Sequence, residues 1–216
     1  NNPIVFKSRV FFTQVNSLKV WYLPTLSVGG AAKSLDLSSF AYKGGYIVQH
    51  ATWTIDAGYG VDDYYVAYTS KGQVVVYKGS DPDVDFALAG VWDLGTPVGT
   101  RCMYKYGGDM LLLGQDGLTP LSSELQSSRL DPRVALTDKI QWAISDAVTN
   151  YGSNFGWQMV FFPQQNQLWL NVPNPIEISQ FVMNSITRNW CNYTGWNAYC
   201  WELFNDQPYF GDNGYV

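Results

Sequence analysis

The chain reads as an all-β protein, a β-propeller or part of one, with one inserted helix near 137–150. Three observations predict this. Short runs of β-branched and aromatic residues recur, separated by Gly- and Asx-containing turns. The acids are lopsided, with 15 Asp against three Glu (Glu124, Glu177, Glu202), and Asp favours turns and caps where Glu favours helix interiors. One strand–turn–strand text also echoes another about a hundred residues away.

The elements follow in order. Residues 4–23 read as a hairpin, with Val10-Phe11-Phe12 and Leu18–Tyr22 flanking Asn16-Ser17. Residues 24–45 read as loop, with one helical turn at Leu37–Phe40. Tyr46–Thr54 is an expected strand and Asp56–Gly60 a turn. The clearest hairpin pairs Tyr64–Tyr68 with Val74–Tyr77 across Ser70-Lys71-Gly72, a reversal suited to positive φ. An acidic turn over 79–85 leads to strands at Ala87–Trp92 and Arg101–Tyr106. Gly107-Gly108-Asp109 then turns into Met110–Leu113, and Gln115-Asp116-Gly117 turns again.

Residues 119–151 break the strand pattern and read as a loop-plus-helix insertion. Ile140, Ala143, Ile144, Ala147, Val148 and Tyr151 recur at spacings of three and four, one apolar helix face, with Thr137 or Asp138 as N-cap. Strands resume at Trp157–Phe162 and Gln167–Val172 across Gln164-Gln165-Asn166, and at Gln180–Asn184 and Asn189–Tyr193 across Ile186-Thr187-Arg188. Tyr199–Leu203 and Pro208–Phe210 close the series.

The echo sets Cys102–Gly117 beside Cys200–Gly214, each preceded by a Trp (Trp92, Trp196). Repeated hairpins with aromatic anchors are the mark of propeller blades, which bury their faces only by stacking on neighbours. At roughly 40–45 residues per four-stranded blade, the chain without its insertion holds about four. Residues 1–216 are therefore expected to form a single β-propeller-like domain. The chain starts at Asn1 and its strand pattern stops as a new turn begins, so it is expected to belong to a longer protein.

Composition excludes several classes. Aromatics make up 16% and charged residues 14%, far from the profile of a disordered chain. No apolar run approaches the ~18 residues of a membrane span. A net charge of −5, with scattered basic residues, is unlike a phosphate-gripping surface. The three cysteines, Cys102, Cys191 and Cys200, give neither a disulfide framework nor a Cys-x-x-Cys motif, and are expected to be reduced.

Candidate chemistry is sparse. His50 is the single histidine and lies in a strand-like run with no Gly-x-Ser-x-Gly elsewhere, so it reads as a strand-face imidazole. Asp81, Asp83 and Asp85 have the opening spacing of a calcium loop. Phe86 and Trp92 stand where that loop needs Gly and Glu, so an acidic turn is expected. Asp56, Asp62, Asp63 and Asp109 are the carboxylates available for a glycosidase pair. Exposed Trp and Tyr are the feature of a sugar-stacking module. Asn192-Tyr193-Thr194 matches a glycosylation acceptor. No catalytic, cofactor-binding or metal-binding residue is assigned, and no cofactor is expected.

The text of residues 62–122 resembles a family. Asp62–Val66, Gly72–Pro82, Gly95–Cys102 and Gly114–Ser122 are similar to the hub proteins of short-tailed bacteriophages, also called tail nozzle or packaged-DNA stabilisation proteins. Gln180–Trp190 carries the same likeness, which runs over roughly residues 9–216. The resemblance implies a β-propeller within a homo-oligomeric ring, a hexamer, below the portal and adaptor. Double-stranded DNA would pass through the axis without specific binding, and tail fibres or spikes would dock outside. The implied location is the virion tail, assembled in the host bacterial cytoplasm, and the implied role is structural and not enzymatic. The alternative is a carbohydrate-binding or glycan-cleaving propeller.

Overall fold

A computed structural model describes residues 2–56, 61–126, 135–212 and 214. The protein is mostly β, built of five antiparallel sheets, each made from consecutive strands. The first sheet joins β1 (Ile4–Phe6), β2 (Arg9–Thr13), β3 (Lys19–Tyr22) and β4 (Lys33–Asp36). The second joins β5 (Ile47–Asp56), β6 (Val61–Thr69), β7 (Gln73–Lys78) and β8 (Ala87–Asp93). The third has three strands: β9 (Met103–Tyr106), β10 (Asp109–Gly114) and β11 (Gly117–Pro120). The fourth joins β12 (Gln158–Phe162), β13 (Gln167–Val172), β14 (Ser179–Asn184) and β15 (Trp190–Thr194), and β16 (Cys200–Phe204) pairs with β17 (Gln207–Gly211) in the fifth.

Two helices interrupt this series. Helix α1 covers Leu121–Gln126, inside a stretch that reads as loop in the sequence. Helix α2 covers Gln141–Tyr151, after a 3-10 turn at Asp138–Ile140. Its buried residues, Ile144 and Ala147, belong to the expected apolar face. The expected cap, Thr137 or Asp138, is corrected: Thr137 makes no side-chain capping bond, Asp138 is the first residue of the 3-10 turn, and Ile140 stands at the N-cap of α2. The Thr137 hydroxyl instead accepts the Leu118 N–H of β11 at 3.1 Å. The loop over 24–45 is corrected too, since β4 lies within it, and the last two residues of β11, Thr119 and Pro120, run into the expected insertion. The Asp56–Gly60 turn falls largely outside the described residues.

The chain divides into two compact units, Asn1–Pro97 with Gly107–Met110, and Val98–Tyr106 with Leu111–Val216. In the first unit an aromatic layer lies between the two four-stranded sheets. Alternation on β2 and β3 sends Phe11 and Tyr22, register partners, to one face. Alternation on β6 and β7 sends Tyr65 and Ala67 to meet Tyr77 and Val75. Phe86 fills the layer, stacked on Tyr77 at 4.9 Å between centroids. The opposite set on β6 and β7, including Val66, Tyr68, Val74 and Val76, is buried as well. A strand buried on both faces must lie between layers.

The second unit repeats the pattern. Leu168 to Val172 on β13 are all buried, and so are Leu111 to Leu113 on β10. Its aromatic core sets Trp169 edge-on to Trp201 at 5.0 Å, with Val160, Phe162, Val182 and Ala198 around them. Such rings are worth about 0.5–1.5 kcal/mol per pair beyond their area burial.

Turns fix the registers. Gly72, at φ +81°, closes the β6–β7 hairpin, and a Cβ there would lie 2.5 Å from the Gly95 carbonyl. The β1–β2 and β16–β17 reversals use Lys7-Ser8 and Asn205-Asp206, all at positive φ, the conformation of a two-residue hairpin turn. The two halves of the sequence echo become β9–β10 and β16–β17. They are the first two strands of their sheets, and Trp92 and Trp196 stand at or just past the last strand of the preceding sheet.

Candidate functional site

The first strand of a sheet repeatedly lies against the first strand of the next. β1 touches β5 in the first unit; β9 touches β12, and β12 touches β16, in the second. A parallel bridge between Arg101 and Gln158 sets the chain entering β9 alongside β12 in the same direction. The Gln158 side chain ties three segments together. Its Oε1 accepts from Arg101 at 2.6 Å and from the Trp201 N–H at 2.9 Å, and its Nε2 donates to the Trp201 carbonyl at 2.7 Å. The Tyr104 hydroxyl accepts the Phe161 N–H at 3.1 Å, and Tyr106 sits edge-on to Phe161 at 5.1 Å. Exposed charges on or beside these first strands of the second unit are Arg101, Lys105 and Glu202, with no basic stripe.

Behind this line is a buried amide network that the sequence reading missed. Asn171 donates to the carbonyls of Gly156 and Ala198, both at 2.8 Å. Its Oδ1 accepts from Gln180 Nε2 at 2.9 Å and from the Trp201 indole at 3.0 Å. The signal for it was an amide set against apolar runs, Asn171 between Leu170 and Val172 and Gln180 before Phe181–Met183. A buried amide is retained only when its partners are supplied.

The named candidates for chemistry separate into structural roles. His50 lies in β5, 1% exposed, with Nδ1 2.7 Å from the Tyr65 hydroxyl and Nε2 against the Asn2 carbonyl. A carbonyl only accepts, so Nε2 carries the proton and Tyr65 donates to Nδ1. Burial pushes the His50 pKa down to about 4, against the Asn2 hydrogen bond that raises it.

The acidic turn is braced from within. Asp81 pairs with Arg9 and accepts the Asp83 N–H. Asp83 accepts from Lys33 at 2.7 Å and from the Tyr22 hydroxyl at 2.8 Å. Asp85 accepts the N–H groups of Asp81 and Ser80. These bonds hold Asp83 and Asp85 below the usual carboxylate range, Asp83 mainly through Lys33 and then Tyr22, Asp85 mainly through the Asp81 and Ser80 backbone. Burial, then Asp83, pushes Tyr22 up to about 12. The turn thus clamps the two sheets of its unit, and no cluster of His, Cys, Asp and Glu among the described residues would hold a metal.

Asp63 pairs with Lys7 at 2.8 Å and accepts from Thr54, while Asp109 accepts the Met110 N–H. The Asp56 and Asp62 side chains lie outside the described residues. All three cysteines are free thiols, and burial pushes Cys102 up to about 12. Asn192 is exposed on β15.

One cleft stands out in the second unit, about 460 Å³ in volume. Asn154, Phe155, Asn174, Asn197, Tyr199 and Asp212 are among the residues that line it, with Ile176 beside them. Among the described residues, no Lys or Arg lines it.

Comparison with known proteins bears on the fold. No family model matches the chain, and no curated protein matches it in sequence. A solved structure described as the AfRom2 CNH domain matches 98% of this chain with a TM-score of 0.56 at 9% identity. The chain covers 63% of the length of that solved chain. At such identity the likeness speaks to the fold alone. No described helix is long and apolar enough to cross a membrane.

Proposed function

We propose that this chain is a β-propeller portion of a short-tailed bacteriophage tail hub. In this reading it is a structural ring component that extends the DNA channel below the portal, helps retain packaged DNA and offers docking surfaces to fibres or spikes. The observation that carries the propeller reading is the sheet order. Each sheet is an antiparallel meander of consecutive strands, and within each compact unit the first strand of one sheet adjoins the first strand of the next. That succession is what blades arranged about an axis require. The likeness to the AfRom2 CNH domain, a β-propeller-like neighbour, supports it.

The tail role is supported by the family text. Its phrases fall on β6–β7, on β10–β11 and on β14 with the turn into β15, where hairpins bury aromatic and aliphatic anchors. The chemistry fits a scaffold. Asp63, Asp81, Asp83, Asp85 and Asp93 brace a turn or stand in ion pairs, and the single histidine is a buried neutral group. A chain of net charge −5 without a basic stripe lets a polyanion slide instead of gripping it.

Native mass spectrometry and electron microscopy of the full-length source protein test this. The expected result is a closed ring of about six subunits around an open axis, the symmetric closure usual for such assemblies. A monomer at micromolar concentration that forms no ring with portal and adaptor proteins would sink the proposal.

A further inference from the structure

The cleft in the second unit has a composition that the scaffold role does not use. We infer that it is a binding site for a neutral sugar ring, and this goes beyond the tail-hub reading.

The walls are held rigidly. Gly156, at φ +123°, lets one loop approach Pro173 and Tyr199, and a Cβ there would lie 3.1 Å from the Pro173 ring. The buried Asn171 amide bonds both the Gly156 and the Ala198 carbonyls, so a single side chain fixes the loops carrying Phe155 and Asn197. Asn154 donates its Nδ2 to the Pro173 carbonyl at 2.9 Å, and Asn174 Oδ1 accepts the Ile176 N–H at 3.0 Å. These bonds orient both amides and leave the Asn154 carbonyl oxygen and the Asn174 amino group for a ligand. A site whose groups are oriented in advance loses less on binding.

The functional groups match a pyranose. A hydroxyl both donates and accepts, and three carboxamides offer both donors and acceptors to such a group. Phe155 is 65% exposed and Ile176 90%, large apolar surfaces left in water beside the amides. An exposed aromatic ring next to polar side chains suits the apolar C–H face of a sugar. With no Lys or Arg among the described lining residues, those residues offer a phosphate or sulfate no counter-charge. Among the described residues Asp212 is the one carboxylate in the lining, whereas glycoside hydrolysis needs two flanking the scissile bond.

The test is saturation-transfer NMR and calorimetry of the full chain. The probes are mono- and trisaccharides of glucose, galactose, mannose and N-acetylglucosamine, with sialic acid as the charged comparison. The expected result is binding of at least one neutral sugar, with affinity falling about tenfold or more in Phe155→Ala and in Asn197→Ala, about 1.4 kcal/mol per decade. Trp142→Ala, an exposed change outside the cleft lining, is expected to leave binding intact. Each variant's melting temperature is recorded, and Asn197→Ala, at an exposed side chain, keeps the test open should Phe155→Ala disturb folding. No binding by any neutral sugar, binding of sialic acid alone, or binding unchanged in both cleft variants overturns the inference. None of these outcomes depends on whether the chain forms a ring.

Discussion

His50 and Asn171 show how single polar side chains are accommodated in these cores. The folded His50 has its pKa pushed down to about 4, while an unfolded chain carries it near the ordinary 6.5. A depressed histidine favours folding where it is neutral in both states. Its contribution is therefore present above about pH 6.5 and falls away toward pH 4, as the unfolded chain takes up the proton first. Denaturant unfolding at pH 7 and pH 5 is expected to differ by about 2 kcal/mol through this group. His50→Gln is expected to flatten that part of the profile; an unchanged slope in the variant would refute the assignment. Asn171→Ala strands two carbonyls, an indole N–H and the Gln180 amide together. A loss of about 3 kcal/mol or more is expected by chemical denaturation, since each buried group left unpaired costs about 1–3 kcal/mol. The sequence placed His50 in a strand, but the partners of Asn171 come from Gly156, Gln180, Ala198 and Trp201 and no local pattern announces them.

At the scale of elements, the sequence revealed what turn chemistry and alternation dictate. Tyr64–Tyr68 with Val74–Tyr77 reads as a hairpin because Gly72 supplies the positive φ and β-branched residues fill both arms. The missed elements have local reasons. Lys7 and Ser8 both take positive φ without glycine, so the β1–β2 reversal carries no glycine signal. Strand β4, Lys-Ser-Leu-Asp, lies at a sheet edge and is mostly exposed, so pairing with β3 decides it and not composition. Strand β11 ends at Pro120, tolerated because β11 is an edge. Thr137 looked like a cap from its place before the helix, yet its hydroxyl serves β11. Two measurements follow. Thr137→Val is expected to lower stability by about 1 kcal/mol through the Leu118 N–H, with helical circular dichroism unchanged; a loss of helix signal would restore the capping role. Gly117→Ala, with φ +108° and a Cβ only 2.2 Å from the Thr137 oxygen, is expected to cost about 2 kcal/mol or more, read by thermal melting.

At the scale of the whole molecule, charge and its placement decide how the chain would meet DNA in the proposed role. A channel that must release its cargo needs walls without phosphate clamps, because each Lys or Arg that neutralises a phosphate adds a counterion-release term. The molecule has 13 basic against 18 acidic residues. Many of its cations are already engaged: Lys7, Arg9, Lys33 and Lys43 pair with Asp63, Asp81, Asp83 and Asp93. On the first strands of the second unit, Arg101 is held by Gln158, and Lys105 and Glu202 offset each other in formal charge. Duplex DNA of about 20 base pairs is therefore expected to bind more weakly than about 100 µM at physiological salt, the weak limit of ordinary non-specific binding. Fluorescence anisotropy across a salt series reads this directly. Binding in the micromolar range with a steep salt slope would mean a phosphate-gripping face that the ion pairs conceal, and the sliding-conduit role would fall with it. A flat, weak response, together with a closed ring, would leave the axis as the route and assign retention of DNA to geometry instead of affinity.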